Sequence, residues 1–150
     1  MVERGSPSRI SGGLVPRPHG APTRVIVVDE NLPKRLSTEL GNRGRNAVSV
    51  SQLGLRGSLD PDLLHNLQAQ LDDWVLVTAD NDLPDEHAAA VAIVDATVAS
   101  IEPRREPGWG VDAWRREVVH RWAHAYHEQA AGSVRRYALR TNRVWTARRR

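Results

Sequence analysis

The chain has 150 residues and no cysteine, which excludes a disulfide framework, a thiolate metal site and a thiol nucleophile. Its length is that of one domain with a hydrophobic core of its own. No apolar run approaches the roughly 20 residues of a transmembrane helix, and the N-terminus lacks the apolar core of a signal peptide. We therefore expect a soluble, cytoplasmic protein without a membrane partner.

The net charge of +3 is unevenly distributed along the chain. Residues 1–23 contribute +2, and residues 132–150, with seven arginines and no acidic residue, contribute +7, which leaves −6 for residues 24–131. An acidic body predicts affinity for cations, and a basic terminus predicts affinity for a polyanion or an acidic protein segment. A terminus that only keeps the chain soluble is an equally good interpretation.

The first predicted element is a strand at Val25 to Val28, after a tail of residues 1–23 that is rich in Gly, Pro, Ser and Arg and is predicted to be disordered. Four consecutive aliphatic residues are typical of a strand that is buried on both faces of a parallel sheet. The run ends directly at Asp29. Because ligands bind beyond the carboxyl ends of the strands in open α/β sheets, Asp29 is placed to meet a ligand.

The following segments alternate between helical and strand patterns. Asn31 can cap a helix that carries Leu32, Leu36 and Leu40 and ends at Gly44. The next elements are a strand at 47–50, a loop at 52–59, a helix with Asp60 as N-cap and Pro61 at its first position, a strand at 74–78, a helix at about 84–91 and a strand near 96–101. The order β-α-β-α-β-α-β predicts a three-layer α/β/α core over residues 24–102, with a central, mostly parallel sheet.

Two further segments follow this core. Residues 103–131 are predicted as a connector and the longest helix, which begins at Val111 and packs on the core. Its apolar stripe consists of Val111, Trp114, Val118, Trp122 and Ala125. Residues 132–150 are predicted as an arginine-rich tail or a hairpin that turns at Thr141 and Asn142.

Acidic residues follow two of the predicted strands. Asp29 and the pair Asp80 and Asp82 should meet at one edge of the sheet, and Asp60 could join them from a helix start. Carboxylates in one cleft raise one another's pKa, which is tolerable mainly with a divalent cation among them. Oxygen ligands suit Mg²⁺ or Mn²⁺, and such an ion can activate water for attack on phosphorus. The pattern therefore predicts metal-dependent phosphodiester hydrolysis.

Each acid also has a structural interpretation. Asp60 is explained by helix capping alone, and Asp62 could serve equally as the acid of that turn. The Asp-Asn-Asp sequence at 80–82 is also good turn chemistry. Glu30 should point away from Asp29 by strand alternation and be a solvated neighbour. Asp29 has the weakest structural explanation, because neither strand nor turn propensity favours an acid directly after four buried aliphatics.

Three motifs in this order resemble the PIN-like domain superfamily, and most closely its small members with a DEN motif, a GLRG-type loop and a TxDxD motif. The motifs are Val28-Asp29-Glu30-Asn31-Leu32-Pro33, Gly54-Leu55-Arg56-Gly57-Ser58-Leu59-Asp60 and Val75-Leu76-Val77-Thr78-Ala79-Asp80-Asn81-Asp82. The resemblance spans roughly residues 24–101. It implies a Mg²⁺- or Mn²⁺-dependent ribonuclease, commonly the toxin of a type II toxin–antitoxin pair of the VapC kind.

The resemblance also implies roles for particular residues and partners. The implied catalytic acids are Asp29, Asp60, Asp80 and Asp82, of which Asp29, Asp80 and Asp82 bind the metal, and the supporting polar residues are Asn31 and Thr78. The implied partners are an RNA substrate and a cognate antitoxin protein, and a homodimer is compatible with the family.

The chain departs from the family pattern at two points. Leu83 stands where members often carry an aromatic residue, and the middle acid is Asp60 or Asp62 rather than a glutamate. An inactive PIN-like module that binds RNA or a protein is therefore an alternative. A signalling receiver domain is excluded, because it needs a lysine late in the chain and the single lysine here is Lys34.

Three histidines, His120, His124 and His127, fall on one face of the predicted C-terminal helix. Their spacing could bind zinc, or His120 or His124 could contact a substrate phosphate. The better-supported interpretation is a polar or partner-binding face whose charge changes near neutral pH.

The basic terminus has three interpretations that the sequence does not separate. It could track an RNA backbone and stack a base, it could fill the edge of the core with its aromatics while the arginines stay solvated, or it could receive an acidic antitoxin segment. The residues concerned are Arg135, Arg136, Tyr137, Arg140 and Arg143, with Trp145 as a second aromatic.

Overall fold

The structure, a computed structural model, describes residues 24–58 and 60–145. The strands are β1 (Val25–Val28), β2 (Ala47–Ser49), β3 (Trp74–Thr78), β4 (Val98–Ile101), β5 (Val134–Tyr137) and β6 (Asn142–Val144). The helices are α1 (Leu36–Asn42), α2 (Asp60–Gln70), α3 (Leu83–Glu86), α4 (Ala88–Ile93), α5 (Val111–Arg121) and α6 (Ala123–Glu128). The predicted tail of residues 1–23 and residues 146–150 lie outside the described part of the chain. Among the described helices, none is long and apolar enough to cross a membrane.

The six strands form one sheet in the order β2-β1-β3-β4-β5-β6. The first five strands are parallel to their neighbours, and β6 pairs antiparallel with β5. This confirms the predicted three-layer α/β/α architecture with a mostly parallel sheet. The carboxyl ends of β1 and β3, the two strands that precede the acidic motifs, are adjacent in the sheet.

The sheet separates two hydrophobic clusters, one on each face. Ile26 and Val28 of β1 belong to the cluster that also contains residues of α1 and α5, whereas Val25 and Val27 belong to the cluster with residues of α2. Successive strand residues point to opposite faces, so a strand between two helical layers must be apolar at every position. This explains why β1 and β3 are buried along their whole length.

Three predicted helices differ from those in the structure. The first begins at Leu36 rather than near Asn31, because the Asn31 side chain is bonded to the end of β3 and does not cap a helix. The helix predicted at about 84–91 is divided into α3 and α4 at His87.

The single long helix predicted from Val111 to about Ala131 is wrong, because it is divided into α5 and α6 at Trp122. The Trp122 indole N–H donates to the carbonyl oxygen of Ala138 at 2.7 Å. Tyr126 of α6 packs edge-on against Tyr137 of β5, with ring centroids 5.0 Å apart. Contacts with the last strands of the sheet therefore determine where this helix breaks.

The predicted terminal hairpin is present as β5 and β6, and β5 extends the main sheet by pairing with β4. Tyr137 is only 1% exposed and belongs to the core. Its hydroxyl donates to Oε1 of Gln129 at 2.8 Å. The described part of residues 132–150 is thus an integral part of the sheet rather than a free tail.

A charged cluster joins α1 to α5. Arg116 Nε donates to both carboxylate oxygens of Glu39, at 2.8 and 3.0 Å, and His120 Nε2 lies 2.7 Å from Glu39 Oε1. The hydrogen bonds from Arg116 and His120 lower the pKa of Glu39 from 4.5 to about 2. This cluster stabilises the packing of the two helices on one face of the sheet while Glu39 is ionised.

Removing the Glu39 charge should change how stability responds to acid. Because the pKa is lower in the folded state, the stabilisation is complete above about pH 4.5 and is lost as the pH falls toward 2. We expect Glu39→Gln to lower the free energy of unfolding at pH 6 and to lower it much less at pH 2.5, where most of the stabilisation by the Glu39 charge is already lost. Urea unfolding of both proteins at several pH values measures this difference. An equal loss at both pH values would contradict the assignment.

Candidate active site

One buried hydroxyl connects the ends of β1 and β3. Thr78 Oγ1 donates to Oδ2 of Asp29 at 2.7 Å and accepts hydrogen bonds from Nδ2 of Asn31 at 3.2 Å and the backbone N–H of Asp80 at 3.1 Å. A hydroxyl offers one proton and two lone pairs, so Thr78 uses its full capacity here. The two predicted supporting residues, Asn31 and Thr78, therefore contact each other and both acidic motifs.

Asn31 ties the site to two more segments. Its Oδ1 accepts a hydrogen bond from the backbone N–H of Ala79 at 3.0 Å, which fixes the chain between Thr78 and Asp80. Its carbonyl oxygen accepts from Arg115 of α5 at 3.1 Å. The side chain thus holds the ends of the two strands together where a helix cap was expected.

Asp29 is only 7% exposed. Burial raises the pKa of its carboxyl group above the ordinary value, and the charges of Glu30 and Asp80 raise it further. The hydrogen bonds from Thr78 and from the backbone N–H of Glu30, 2.8 Å from Oδ1, act in the opposite direction. The result is a carboxylate that is held in one orientation but poorly neutralised.

Asp60, at the first position of α2, belongs to the same cluster. Burial raises its pKa, and the charges of Asp80 and Asp29 raise it further. The hydrogen bond between the side chains of Asp60 and Asp80 acts in the same direction. Asp62, the alternative middle acid, lies two residues further along this helix, and it is exposed. The structure therefore brings Asp29, Asp60 and Asp80 together and favours Asp60 as the middle acid.

Asp82 occupies a different position. Its side chain is exposed at the start of α3, and its backbone N–H donates to Oδ1 of Asp80 at 3.0 Å. Asp82 thus orients Asp80 through its main chain. The next residue, Leu83, is fully buried in one of the two core clusters. The replacement of the family's aromatic residue at Leu83 is therefore a change of core packing.

His87 is a site residue that the sequence did not reveal. Its Nε2 lies 3.5 Å from Oδ2 of Asp60, and this contact partly opposes the rise in the Asp60 pKa. His87 reaches the cluster because the chain breaks between α3 and α4 at this residue. A periodicity pattern that predicts one continuous helix cannot show such a break.

Glu30 is exposed, as strand alternation predicted, but its side chain also has a structural role. Its Oε1 accepts a hydrogen bond from the backbone N–H of Gly57 at 2.9 Å. Gly54 and Gly57 both adopt positive φ angles, of 75° and 80°, which side chains with a Cβ rarely adopt. Glu30 therefore anchors the glycine loop that leads from β2 to Asp60.

The carboxylates have the type of ligand atom that a hard divalent cation prefers, but their arrangement does not by itself form a metal site. Their oxygens are the ligands that Mg²⁺ and Mn²⁺ prefer, and their mutual repulsion would be relieved by a cation. In residues 24–58 and 60–145, however, no group of three or more His, Cys, Asp or Glu side chains is arranged to hold a metal ion. A bound ion would need ligands beyond these side chains.

The same finding applies to the three histidines of the C-terminal segment. His120 is bonded to Glu39, and His124 stacks against Trp122 with ring centroids 6.2 Å apart. The break at Trp122 removes the single helical face on which the zinc interpretation depended. The interpretation of these histidines as a zinc site is therefore wrong for the described structure.

The basic terminus contacts the protein itself. Tyr137 is buried and cannot stack on a base, so that part of the prediction is wrong. The arginines contact neighbouring side chains: Arg135 donates to Asn142, Arg136 lies over the Trp145 ring at 3.7 Å, Arg140 pairs with Glu106 at 3.2 Å, and Arg143 pairs with Glu102 at 2.9 Å. The density of arginines in this segment therefore overstates the positive charge that is available to a polyanion.

Replacing the Thr78 hydroxyl should destabilise the protein. Thr78→Val keeps the shape but leaves Asn31 Nδ2 and the Asp80 N–H without their acceptor and Asp29 without a donor. We expect a loss of about 1–3 kcal/mol in the free energy of unfolding, measured in urea. Thr78→Ser retains the hydroxyl and should lose less. A serine variant as unstable as the valine variant would contradict the role of the hydroxyl.

Removing the Asp60 charge should stabilise the protein at neutral pH. The folded-state pKa of Asp60 is raised above 3.8, so wild-type stability falls as the pH rises through the interval between these values. Asp60 is the first residue of α2 rather than the predicted N-cap before it, and Asn keeps the size of its side chain without the charge. We therefore expect Asp60→Asn to be more stable than wild type above that interval. Thermal unfolding in a chelator, with Asp62→Asn as the matched control, measures this. A variant less stable than wild type at neutral pH would contradict the expectation.

Comparison with known proteins identifies the family. A model of the PIN-like domain matches residues 25–101, just over half of the chain, and this range contains all four predicted catalytic acids. No curated protein and no solved structure was found to match the chain. The chain therefore belongs to the PIN-like domain family, whose fold is of a nuclease type.

Proposed function

We propose that this protein is a Mg²⁺- or Mn²⁺-dependent endoribonuclease that hydrolyses RNA phosphodiesters at the carboxyl ends of β1 and β3. The observation that carries the proposal is the shared position of Asp29, Asp60 and Asp80, with the pKa raised in two of them by burial and by the neighbouring charges. Buried, mutually repelling carboxylates reduce stability, so their clustering in a family of nuclease-type fold favours a chemical role.

The proposed metal ligands are Asp29 and Asp80, with Asp82 as a further acid at the rim. Mg²⁺ commonly binds to one or two carboxylates together with substrate phosphate oxygens and water. The RNA phosphate would supply the ligands that the protein side chains do not. When bound, the ion would lower the pKa of a water molecule and stabilise the negative charge that develops on the phosphate.

The side chains have distinct proposed roles in the reaction. Thr78 and Asn31 hold Asp29 and the backbone of residues 79–80 in fixed positions. Asp60, with its raised pKa, is suited to accept a proton from the attacking water. The water oxygen would form a bond to phosphorus as its proton passes to Asp60, and the bond to the leaving nucleoside oxygen would break. The leaving oxygen would take a proton from solvent water, and Asp60 would return its proton to solvent.

The biological role that we propose is that of a toxin in a type II toxin–antitoxin pair, inhibited by a cognate antitoxin. Family membership and the resemblance of the three motifs support this role. Induced expression in a bacterial host should then arrest growth, and Asp80→Asn should relieve the arrest at an equal protein level. Arrest that persists with Asp80→Asn would contradict a toxin that acts through this site.

A second candidate is an inactive PIN-like module that binds RNA or a protein. One observation favours it: the described side chains do not form a metal group of three or more ligands. Such a module would retain the fold and the hydrogen bonds of Thr78, because these stabilise the ends of the two strands.

Calorimetric titration of Mn²⁺ and RNA cleavage assays distinguish the two candidates. We expect wild type to bind Mn²⁺ and to cleave total RNA only with the metal present, with both properties abolished in Asp29→Asn and Asp80→Asn. Asp72→Asn is the matched control, because Asp72 is exposed between α2 and β3 at the opposite edge of the sheet.

The outcomes separate the hypotheses. Cleavage at the wild-type rate in both Asp29→Asn and Asp80→Asn would show that the assigned site is wrong. Wild-type protein that does not cleave RNA with Mg²⁺ or Mn²⁺, but binds it, would favour the inactive module.

A further inference from the structure

A cavity of about 320 Å³ opens beside Asp29, between the ends of β1 and β2. Its walls are partly apolar, from Val28, Leu32 and Pro33, and partly hydroxyl-bearing, from Ser49 and Ser51. The side chains of Lys34 and Arg56 complete the lining together with Glu30. The cavity therefore combines an acidic end at the candidate active site with two cations.

The two cations of this cavity are available to a ligand. Lys34 and Arg56 are exposed, and within residues 24–58 and 60–145 neither side chain forms a hydrogen bond or an ion pair. This distinguishes them from Arg140 and Arg143 of the terminal hairpin, which are paired with carboxylates. Two positive charges without a partner among the described residues thus lie in the cavity that Asp29 lines.

The position of Arg56 is fixed by the loop that carries it. Glu30 binds the backbone of Gly57, the next residue after Arg56, at 2.9 Å. Gly54 and Gly57 permit the turns on either side of Arg56. Because Glu30 directly follows Asp29, this bond sets the distance between the cation-bearing loop and the acidic cluster.

A second cavity, of about 520 Å³, continues the first, since both are lined by Pro33 and Lys34. It carries two more cations, Arg35 and Arg116, and two acids, Asp112 and Glu39, the second of which is paired with Arg116. A chain of phosphates could follow this route from Asp29 toward α5.

We infer that the cavity beside Asp29 binds the nucleotide of single-stranded RNA that adjoins the cleaved phosphate. Lys34 and Arg56 contact the flanking phosphates, and the apolar walls and serine hydroxyls receive the base. A nucleotide fits better than an acidic protein segment, because it offers phosphates to the two cations and an uncharged base to the remaining walls, whereas an acidic segment offers carboxylates to walls that include Asp29 and Glu30. This inference rests on the proposed ribonuclease function and names the substrate-binding residues of that site.

Binding of a labelled RNA without cleavage tests the inference. The full chain is titrated into a fluorescent, mixed-sequence 12-nucleotide single-stranded RNA in EDTA, and anisotropy is recorded at several salt concentrations. We expect Lys34→Ala/Arg56→Ala to weaken binding at least about tenfold and to reduce the salt slope by roughly 1.4, or about 0.7 for each lost phosphate contact. Because both side chains are exposed, the double variant should unfold at the wild-type temperature.

The matched control removes two positive charges at the opposite edge of the sheet. Arg43 and Arg45 follow the C-terminal end of α1, and within the described residues neither side chain is paired with a carboxylate, so Arg43→Ala/Arg45→Ala should bind RNA as wild type does. Equal weakening in the two double variants would overturn the inference, because only net charge would then matter. A decaglutamate peptide that displaces the RNA and depends on the same two cations would overturn it in favour of a protein partner.

A mononucleotide tests the part of the inference that concerns the base. Adenosine monophosphate should shift the amide resonances of Ser49 and Ser51, and inorganic phosphate at the same concentration should not. Equal shifts with both probes would overturn a base-binding role. The measurements in EDTA do not require turnover, so their failure is distinguishable from a failure of Asp80→Asn to abolish cleavage.

Discussion

The candidate site depends on the burial of one carboxylate at the end of a strand that is apolar along its whole length. Asp29 follows β1 into a region that is almost closed to solvent, where an ionised group costs several kcal/mol unless hydrogen bonds compensate. The Thr78 hydroxyl supplies the principal bond at 2.7 Å and uses its lone pairs to hold Asn31 and the Asp80 backbone. One threonine thus couples the stability of the strand ends to the placement of both acidic motifs.

The parts of this arrangement that follow from local sequence were predictable. The strands β1 and β3 are continuous apolar runs, and Asp29 and Asp80 follow them within two residues. These short segments therefore predict both the strands and the edge of the sheet at which the acids lie. The helix breaks at His87 and Trp122 were not predictable, because neither residue has a glycine or proline beside it that would mark the end of a helix. Trp122 bonds to Ala138 only once the terminal hairpin has joined the sheet.

The terminal hairpin and the cavity beside Asp29 also differ because of contacts between residues that are distant in sequence. Residues 132–150 contain seven arginines and therefore form an obvious basic segment in the sequence. Lys34 and Arg56 lie in segments of mixed polar and apolar residues and form no such cluster. In the fold, Arg140 and Arg143 find carboxylates on the connector that follows β4, and Tyr137 enters the core. Charge that is available to a ligand is a property of pairing in three dimensions, and the number of arginines in a segment does not report it.

The proposed chemistry has a thermodynamic consequence for metal and RNA. In the proposed site the protein supplies two or three carboxylates to the metal ion, and the RNA phosphate supplies further oxygen atoms. Bound RNA would therefore improve the site for the metal, and bound metal would improve the site for RNA. Linkage requires that RNA tighten metal binding by the same factor as metal tightens RNA binding. Without RNA or metal, burial and the neighbouring negative charges stay uncompensated and raise the pKa of Asp29 and of Asp60. In the proposed reaction, a cation that neutralises these carboxylates would recover the free energy that their burial and repulsion cost the free protein, and this recovery would contribute to the affinity for the metal.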